Sequence, residues 1–262
     1  MVANQEKSSM IFRCWDFRVQ NTVLHPHWLR RIFILSFLTV ILSWCLAAPI
    51  VAAEPVPPNS VQRVTVPILG TTLNKHWEQI GVVAEVTIQF VHRRDHDGLR
   101  VQFHTSPGRF SPGAQRAVQQ AIGQVAKVSH LDPNSWTVTL TLLHQGLTMY
   151  GESLSGMIGL SVLALAKGDP LPQDRVLTGT ITPTGQIGVV GGVPLKIQAA
   201  YEMKLRHVLI PEEIDVADGD WRTPFLMQVS PVGTIKKAYR ALTDRSLEAD
   251  SASQVISNLA AK

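Results

Sequence analysis

An apolar run near the N-terminus divides the chain and constrains what each part can fold into. It extends from Ile32 to about Val51, follows two arginines, and gives way to polar, proline-rich sequence at Glu54. About 20 apolar residues can cross a bilayer as one helix, and cationic residues before such a run favour a cytoplasmic N-terminus. We therefore predict a transmembrane or signal segment over residues 32–53, preceded by a basic cytoplasmic region over residues 1–31.

Two fates of this segment are open. The small residues Val51, Ala52 and Ala53 suit a signal peptidase. Cleavage near Ala53 would release the rest of the chain into a periplasm or lumen, whereas retention would leave it membrane-anchored outside the cytoplasm. A buried core helix explains the run less well, because no polar stripe at helical spacing interrupts it.

Cysteine content and charge limit the part of the chain that follows. Both cysteines, Cys14 and Cys45, precede residue 53, so disulfides cannot stabilise this part and a hydrophobic core must do so. The sequence has 24 Lys and Arg against 20 Asp and Glu. That balance is too even to predict a nucleic-acid partner.

Residue patterns predict an α+β domain of helices packed on a mixed sheet. The proline-rich residues 54–75 are interpreted as an extended linker or edge segment outside the core, residues 76–245 as the domain, and residues 246–262 as a tail. Alternation of β-branched residues predicts strands, and apolar spacing of three and four predicts helices. The strands are expected over residues 82–91 and 99–104, which we interpret as a hairpin, and over residues 136–143 and 206–213.

The expected helices are bounded by recognisable signals. One begins at Pro112 after Ser111 as N-cap. A second, densely apolar helix follows Ser155 and stops at Gly168. Short strands with glycine turns precede a third helix over residues 193–205, and the last thirty or so residues are expected to be helical and then frayed.

Two serines, Ser153 and Ser155, lie at the start of the apolar helix and raise the question of a nucleophile. A serine hydroxyl needs a neighbouring base. The histidines after residue 53 occupy no recognisable catalytic frame, and no G-x-S-x-G elbow surrounds either serine. His92 and His96 have metal-like spacing, but they lie in a charged turn, so no metal site is expected. A Ser-His-Asp triad is possible but unsupported.

A buried lysine is the other known base, and Lys196 lies in an apolar helix directly after Gly191 and Gly192. Lowering a lysine pKa from about 10.4 toward 7–8 costs roughly 4 kcal/mol at 1.36 kcal/mol per pH unit. Burial among aliphatic side chains can supply that energy. Each residue also has a plain structural explanation: Ser153 as a helix N-cap, Lys196 as a solvated or snorkelling side chain, and Glu152 as an acid favoured by the helix dipole.

Several motifs together resemble the proteolytic domain of Lon proteases, over roughly residues 81–213. In chain order they are Gly151-Glu152-Ser153, Thr178-Gly179, Gly191-Gly192-x-x-x-Lys196 and the segment HVLIPEE. In that family a serine and a lysine 43 positions apart form the catalytic dyad, and Ser153 and Lys196 have that separation. A small polar residue two places after the nucleophile, as Ser155 is here, resembles the archaeal, membrane-bound branch.

The resemblance implies the Lon proteolytic fold and a serine endopeptidase acting on unfolded or flexible proteins. Ser153 would attack the peptide carbonyl, and Lys196 would act as general base and then as acid. Thr178 would hydrogen-bond the lysine, while Glu152, Ser155, Gly191 and Gly192 would support the site. The resemblance implies no cofactor and no metal, and it suggests a homo-oligomeric ring.

The sequence also departs from the family. The usual bacterial loop reads Asp-Gly-Pro-Ser-Ala-Gly, whereas this one reads Gly-Glu-Ser-Leu-Ser-Gly, and Thr180 replaces the acid that usually follows the Thr-Gly pair. The 262 residues contain no G-x-x-x-x-G-K-[ST] phosphate loop. Activity of this chain alone would therefore be ATP-independent, with a separate ATPase or adaptor left open. The alternative is a catalytically silent Lon-like domain that serves as an envelope binding or assembly module.

Overall fold

The protein is described by a computed structural model over residues 60–247. The predicted cytoplasmic region, the transmembrane or signal segment at residues 32–53 and most of the tail lie outside these residues. Within residues 60–247, no helix is both long and apolar enough to cross a membrane.

A four-stranded mixed sheet forms the first layer, with the strand order β1-β2-β5-β3. Strands β1 (Val61–Leu73) and β2 (Gln79–His92) are antiparallel neighbours. Strand β5 (Trp136–Leu142) is antiparallel to β2, and β3 (Arg100–Phe103) is parallel to β5.

Of the two interpretations of residues 54–75, the edge segment is right for residues 61–73, which form the edge strand β1, whereas the linker and the position outside the core are wrong there. Its residues Val66, Ile68 and Leu69 are at most 1% exposed, so the strand belongs to the core. Pro67 is compatible with this position because an edge strand leaves backbone N–H positions that need no partner. Proline content favours a linker for this segment, whereas its β-branched residues favour a strand.

The predicted hairpin of residues 82–91 with residues 99–104 is also wrong. Strand β3 pairs with β5, which lies between β2 and β3. The Arg93 guanidinium donates to the carbonyl oxygens of Gly98, Asn134 and Trp136, so it holds the loop across the end of β5. After this loop the chain continues to the far side of β5, where β3 forms, and does not return to pair with β2.

Two packed helices cover the sheet as predicted. In α1 (Pro112–Val128), the Ser111 hydroxyl caps the first turn by accepting from the Ala114 N–H. Helix α2 (Ser155–Lys167) is buried over most of its length and ends at Gly168, whose φ of 72° is left-handed. Both boundaries agree with the capping signals in the sequence.

A second, three-stranded parallel sheet has the order β11-β10-β7. Its strands and the helices that follow them in the chain are β7 (Arg175–Leu177), α3 (Val193–Glu202), β10 (His207–Pro211), β11 (Gln228–Val232) and α4 (Ile235–Thr243). Helix α4 confirms the expectation that the last thirty or so residues begin as a helix. Strand β11, which the sequence pattern does not predict, precedes these residues and pairs with β10 through residue 232. Its β-branched residues favour strand once a parallel neighbour exists.

Four short strands form two further sheets of two strands each. They are β4 (Arg109–Phe110), parallel to β6 (Thr148–Met149), and β8 (Thr180–Ile181), antiparallel to β9 (Ile187–Gly188). The described residues therefore form mixed sheets packed with four helices, which confirms the predicted α+β class.

The core position of β1 can be tested by truncating one of its side chains. Ile68→Ala should lower the free energy of unfolding by about 2–5 kcal/mol, because the lost methylenes leave a cavity in a packed core. Val61→Ala, on the same strand with Val61 59% exposed, is the control and should change it by less than about 0.5 kcal/mol. Equal effects in urea denaturation would contradict the core assignment.

Candidate active site

The serine loop is tied to the Thr178-Gly179 segment by backbone hydrogen bonds. The Gly179 N–H donates to Ser153 O at 3.0 Å, and the Gly156 N–H donates to Gly179 O at 3.0 Å. A Cβ atom at Gly156 would lie 2.6 Å from Gly179 O, so only glycine permits this approach. The bonds fix Ser153, which is half-buried, at the N-terminal end of α2.

The helix-cap explanation of Ser153 is wrong. The N-cap of α2 is Leu154, and no side chain forms a capping hydrogen bond there. Glu152 precedes the first turn of α2 and is exposed, so it is not the first-turn acid that the dipole explanation requires. Neither residue is thus accounted for by helix capping.

Lys196 lies in the second turn of α3 with only 4% of its surface exposed. Its Nζ donates to Gly191 O at 2.8 Å. Burial lowers the pKa of Lys196 from the usual 10.5 to about 8, although the Asp218 carboxylate acts in the opposite direction. The solvated or snorkelling explanation is therefore wrong, because the amine lies inside the fold.

Gly191 and Gly192 form the turn that places this lysine. Gly192 is the N-cap of α3 with a left-handed φ of 70°, a conformation that favours glycine. A Cβ atom there would lie 2.7 Å from Thr71 Cγ2 of β1. The turn is therefore confined by both its backbone conformation and the edge strand.

Ser153 and Lys196 line the same cleft, whose volume is about 790 Å³. One wall comes from β1 at residues 69–72, and the rim carries Tyr150 and Glu152. The walls also include Leu147, Met149, Thr180, Val189, Val190 and Gly191. The cleft therefore holds a hydroxyl and an amine of lowered pKa among both apolar and polar side chains.

Thr178 differs from the expectation drawn from the resemblance. It is fully buried, and its Oγ1 has no hydrogen-bond partner among residues 60–247. The expected bond to Lys196 is absent, and Nζ donates to Gly191 O instead. The backbone N–H of Thr178 still donates to Leu209 O at 3.0 Å, which anchors the segment that holds the serine loop.

Ser155 is separated from the cleft of Ser153. It is 1% exposed and borders a different cavity of about 350 Å³ beside Arg116 and Thr182. Glu152 is at the border of both cavities. The structure thus distinguishes the two serines, since only Ser153 shares a cleft with Lys196.

Histidine chemistry finds no support in this geometry. No histidine lines the Ser153 cleft. His207 hydrogen-bonds Ser230, and His96 contacts Ser135 and Asp132. Within the described part of the chain, no three His, Cys, Asp or Glu side chains converge as a metal site.

Sequence reasoning missed two contributors to the site. Residues 69–72 of β1 line the cleft, although their sequence is interpreted above as a linker or edge segment outside the core. Asp218 accepts hydrogen bonds at the start of α3, although 26 residues separate it from Gly192. The alternating pattern could have revealed β1, whereas no local signal connects Asp218 with Gly192.

The part of the chain that contains these site residues matches a known protein family. The family model described as Lon protease (S16) C-terminal proteolytic domain matches residues 146–220, which include Ser153, Thr178 and Lys196. The chain is 29% identical over 131 residues to the archaeal Lon protease of Archaeoglobus fulgidus, covering 50% of this chain and 21% of that protein. It is 26% identical over 181 residues to the archaeal Lon protease of Thermoplasma acidophilum, covering 68% and 26% respectively.

A third relative matches over a shorter segment with higher sequence identity. The Lon protease of Magnetococcus marinus is 42% identical over 62 residues, which cover 24% of this chain and 8% of that protein. The chain therefore spans at most about a quarter of the length of these three relatives.

Burial of the Lys196 amine should destabilise the folded protein. Lys196→Met should raise the free energy of unfolding at pH 7 by about 3 kcal/mol. The lysine binds its proton less tightly in the folded state than in the unfolded state, and each unit of that pKa difference corresponds to about 1.36 kcal/mol. The gain should be full below pH 8, fall as the pH rises from 8 to 10.5, and disappear above 10.5, where both states carry a neutral lysine.

Chemical denaturation of the parent and the variant across this pH range measures the effect. Lys75→Met, at an exposed turn, is the control and should show little change at any pH. A Lys196→Met variant that is less stable at pH 7, or whose gain does not vary with pH, would contradict the proposed burial penalty.

Proposed function

We propose, from the premise that residues 146–220 belong to the Lon proteolytic-domain family, that this protein is a serine endopeptidase with Ser153 as nucleophile and Lys196 as base. The observation that carries the proposal is the shared cleft, in which a half-buried hydroxyl accompanies a lysine with a pKa of about 8. A lysine with this pKa has an appreciable neutral fraction near pH 7–8, which a general base requires.

The contact of Lys196 with Gly191 suits the proposed role. A neutral amine has two N–H bonds and one lone pair. Donation to Gly191 O at 2.8 Å uses one N–H and orients the group, while the lone pair stays available to accept the Ser153 proton. The buried surroundings keep competing water away from that lone pair.

The reaction begins when Ser153 Oγ attacks the peptide carbonyl carbon and Lys196 takes the hydroxyl proton. The carbonyl oxygen becomes an oxyanion. Collapse of the intermediate breaks the C–N bond, and the Lys196 ammonium returns the proton to the leaving amine. Water then attacks the acyl-enzyme with Lys196 as base, which frees the carboxylic acid and regenerates Ser153.

Backbone groups near Ser153 supply the oxyanion site in this proposal. The Ser155 and Gly156 N–H groups already donate to Glu152 O and Gly179 O. We therefore assign the oxyanion to the Ser153 N–H and the positive end of the α2 dipole.

Substrate access, location and assembly complete the proposal. The open cleft suits an extended, unfolded or flexible protein segment, and the 262 residues carry no phosphate loop, so hydrolysis by this chain alone needs no ATP. The apolar segment at residues 32–53 would anchor the protein in a membrane, or release it on cleavage, with the protease domain outside the cytoplasm. Because the relatives are Lon proteases, we include a homo-oligomeric ring as the working assembly.

Hydrolysis of casein by the purified full chain without nucleotide tests the function. Ser153→Ala and Lys196→Ala should each lower kcat/KM by at least about 10³-fold, because each removes a member of one catalytic unit. Ser155→Ala is the matched control and should retain activity within about tenfold, since Ser155 lies outside the cleft. Sedimentation and circular dichroism would verify that the variants stay folded.

Two other results of this assay would contradict the proposal. If the folded parent chain cleaves nothing at any pH from 6 to 10, the silent binding or assembly module becomes the preferred function. If Ser155→Ala abolishes cleavage and Ser153→Ala does not, the assignment of the nucleophile is wrong.

A further inference from the structure

Asp218 forms a two-point hydrogen-bonded clamp on the helix that carries Lys196. Its Oδ1 accepts from the Gly192 N–H at 2.6 Å, and its Oδ2 accepts from the Val193 N–H at 2.9 Å. These donors belong to the N-cap and the first residue of α3. Asp218 itself ends a short 3-10 turn (Val216–Asp218) in the loop between β10 and β11.

The Gly191-Gly192 turn that Asp218 clamps is bonded to both the backbone and the side-chain amine of Lys196. The Lys196 N–H donates to Gly192 O at 3.0 Å, and its Nζ donates to Gly191 O at 2.8 Å. On the opposite side, Thr71 of β1 lies so close to Gly192 that a Cβ atom would meet its Cγ2 at 2.7 Å. The turn is therefore held between the edge strand and the Asp218 carboxylate.

We propose that Asp218 is a positioning residue for the hydrolysis proposed above: it fixes the Gly191-Gly192 turn so that the Gly191 carbonyl directs the Lys196 amine toward Ser153. The inference rests on the proposed function. Asp218 acts through the turn and through its charge, and the cleft lining does not include it.

The charge of Asp218 opposes the effect of burial on the lysine. Burial lowers the Lys196 pKa, and Asp218 is the charged group that raises it. The other titratable or charged side chains near the amine are Glu152 and Tyr150 on the cleft rim and Asp215 beside Gly191. When Lys196 takes the Ser153 proton it becomes an ammonium ion, and a fixed carboxylate stabilises the charge that develops.

Substitutions at residue 218 separate the two contributions. Asp218→Asn preserves size but loses the charge and one of the two acceptors. Asp218→Glu preserves the charge, but its extra methylene displaces the clamp. Asp220→Asn removes the same charge from an exposed residue of the same loop and is the matched control.

The first readout is the pKa of Lys196 in the full chain, measured by NMR titration with labelled lysine Cε and Nζ. The Lys196→Arg variant identifies the signal. Asp218→Asn should lower the pKa by about 0.5–1, because a nearby opposite charge favours the protonated lysine. Asp218→Glu should return it toward the parent value, and Asp220→Asn should leave it unchanged.

The second readout is casein hydrolysis against pH. Asp218→Asn should lower kcat by about tenfold with little change in KM, because misplacement of the base affects the chemical step. The acid limb of its pH profile should move to lower pH, since the lysine loses its proton more readily. Asp218→Glu should lower kcat without moving that limb.

The outcomes distinguish this inference from the function on which it rests. A parent chain that cleaves casein, with an Asp218→Asn variant of unchanged Lys196 pKa and kcat, overturns the positioning role. The same holds if Asp220→Asn has equal effects. A parent that cleaves nothing while Asp218→Asn still shifts the pKa contradicts the protease function, whereas the link between Asp218 and Lys196 stands. If the Asn variant does not fold, an Asp218→Glu variant with parental kcat overturns the positioning role.

Discussion

The burial of one amine is the interaction on which the candidate site depends. Lys196 is 4% exposed and bonded to a backbone carbonyl, so the fold holds a group that water would otherwise keep charged. Such burial is unfavourable by itself. It persists because α3 also buries aliphatic side chains, including Val193 and Ile197, in the smaller hydrophobic cluster that packs against the second sheet.

Segments distant in sequence must meet to create these surroundings. The edge strand β1 supplies one wall of the cleft, the Thr178-Gly179 segment fixes the serine loop, and the β10–β11 loop supplies the clamp on α3. Backbone hydrogen bonds and glycine positions where a side chain would collide, such as Gly156, fix the serine loop. The Asp218 carboxylate fixes the start of α3, so main-chain geometry and one side chain together place the hydroxyl and the amine.

The parts predicted from sequence were those with a strong local or register signal. The resemblance to Lon proteolytic domains predicted Ser153 and Lys196 as a pair, and the two line one cleft. Apolar periodicity with capping residues located α1 and α2. The errors involved tertiary neighbours. The prolines of residues 54–75 obscured strand β1, whose single proline, Pro67, is tolerated at a sheet edge. Strand β3 pairs with β5, and Arg93 spans the loop that precedes β3. The expected Thr178 bond is absent from residues 60–247, and the Lys196 Nζ bonds to Gly191 O, a contact that no sequence pattern shows.

The most direct test of the shared role of Ser153 and Lys196 is covalent labelling of the full chain with an uncharged sulfonyl fluoride, followed by mass spectrometry of the modified peptide. We predict a single label on Ser153, formed at a rate that rises through pH 8 as Lys196 loses its proton. Lys196→Gln should lower that rate by at least about 10²-fold. A label on Ser155, or an equal rate in the parent and the Gln variant, would contradict a nucleophile activated by this lysine.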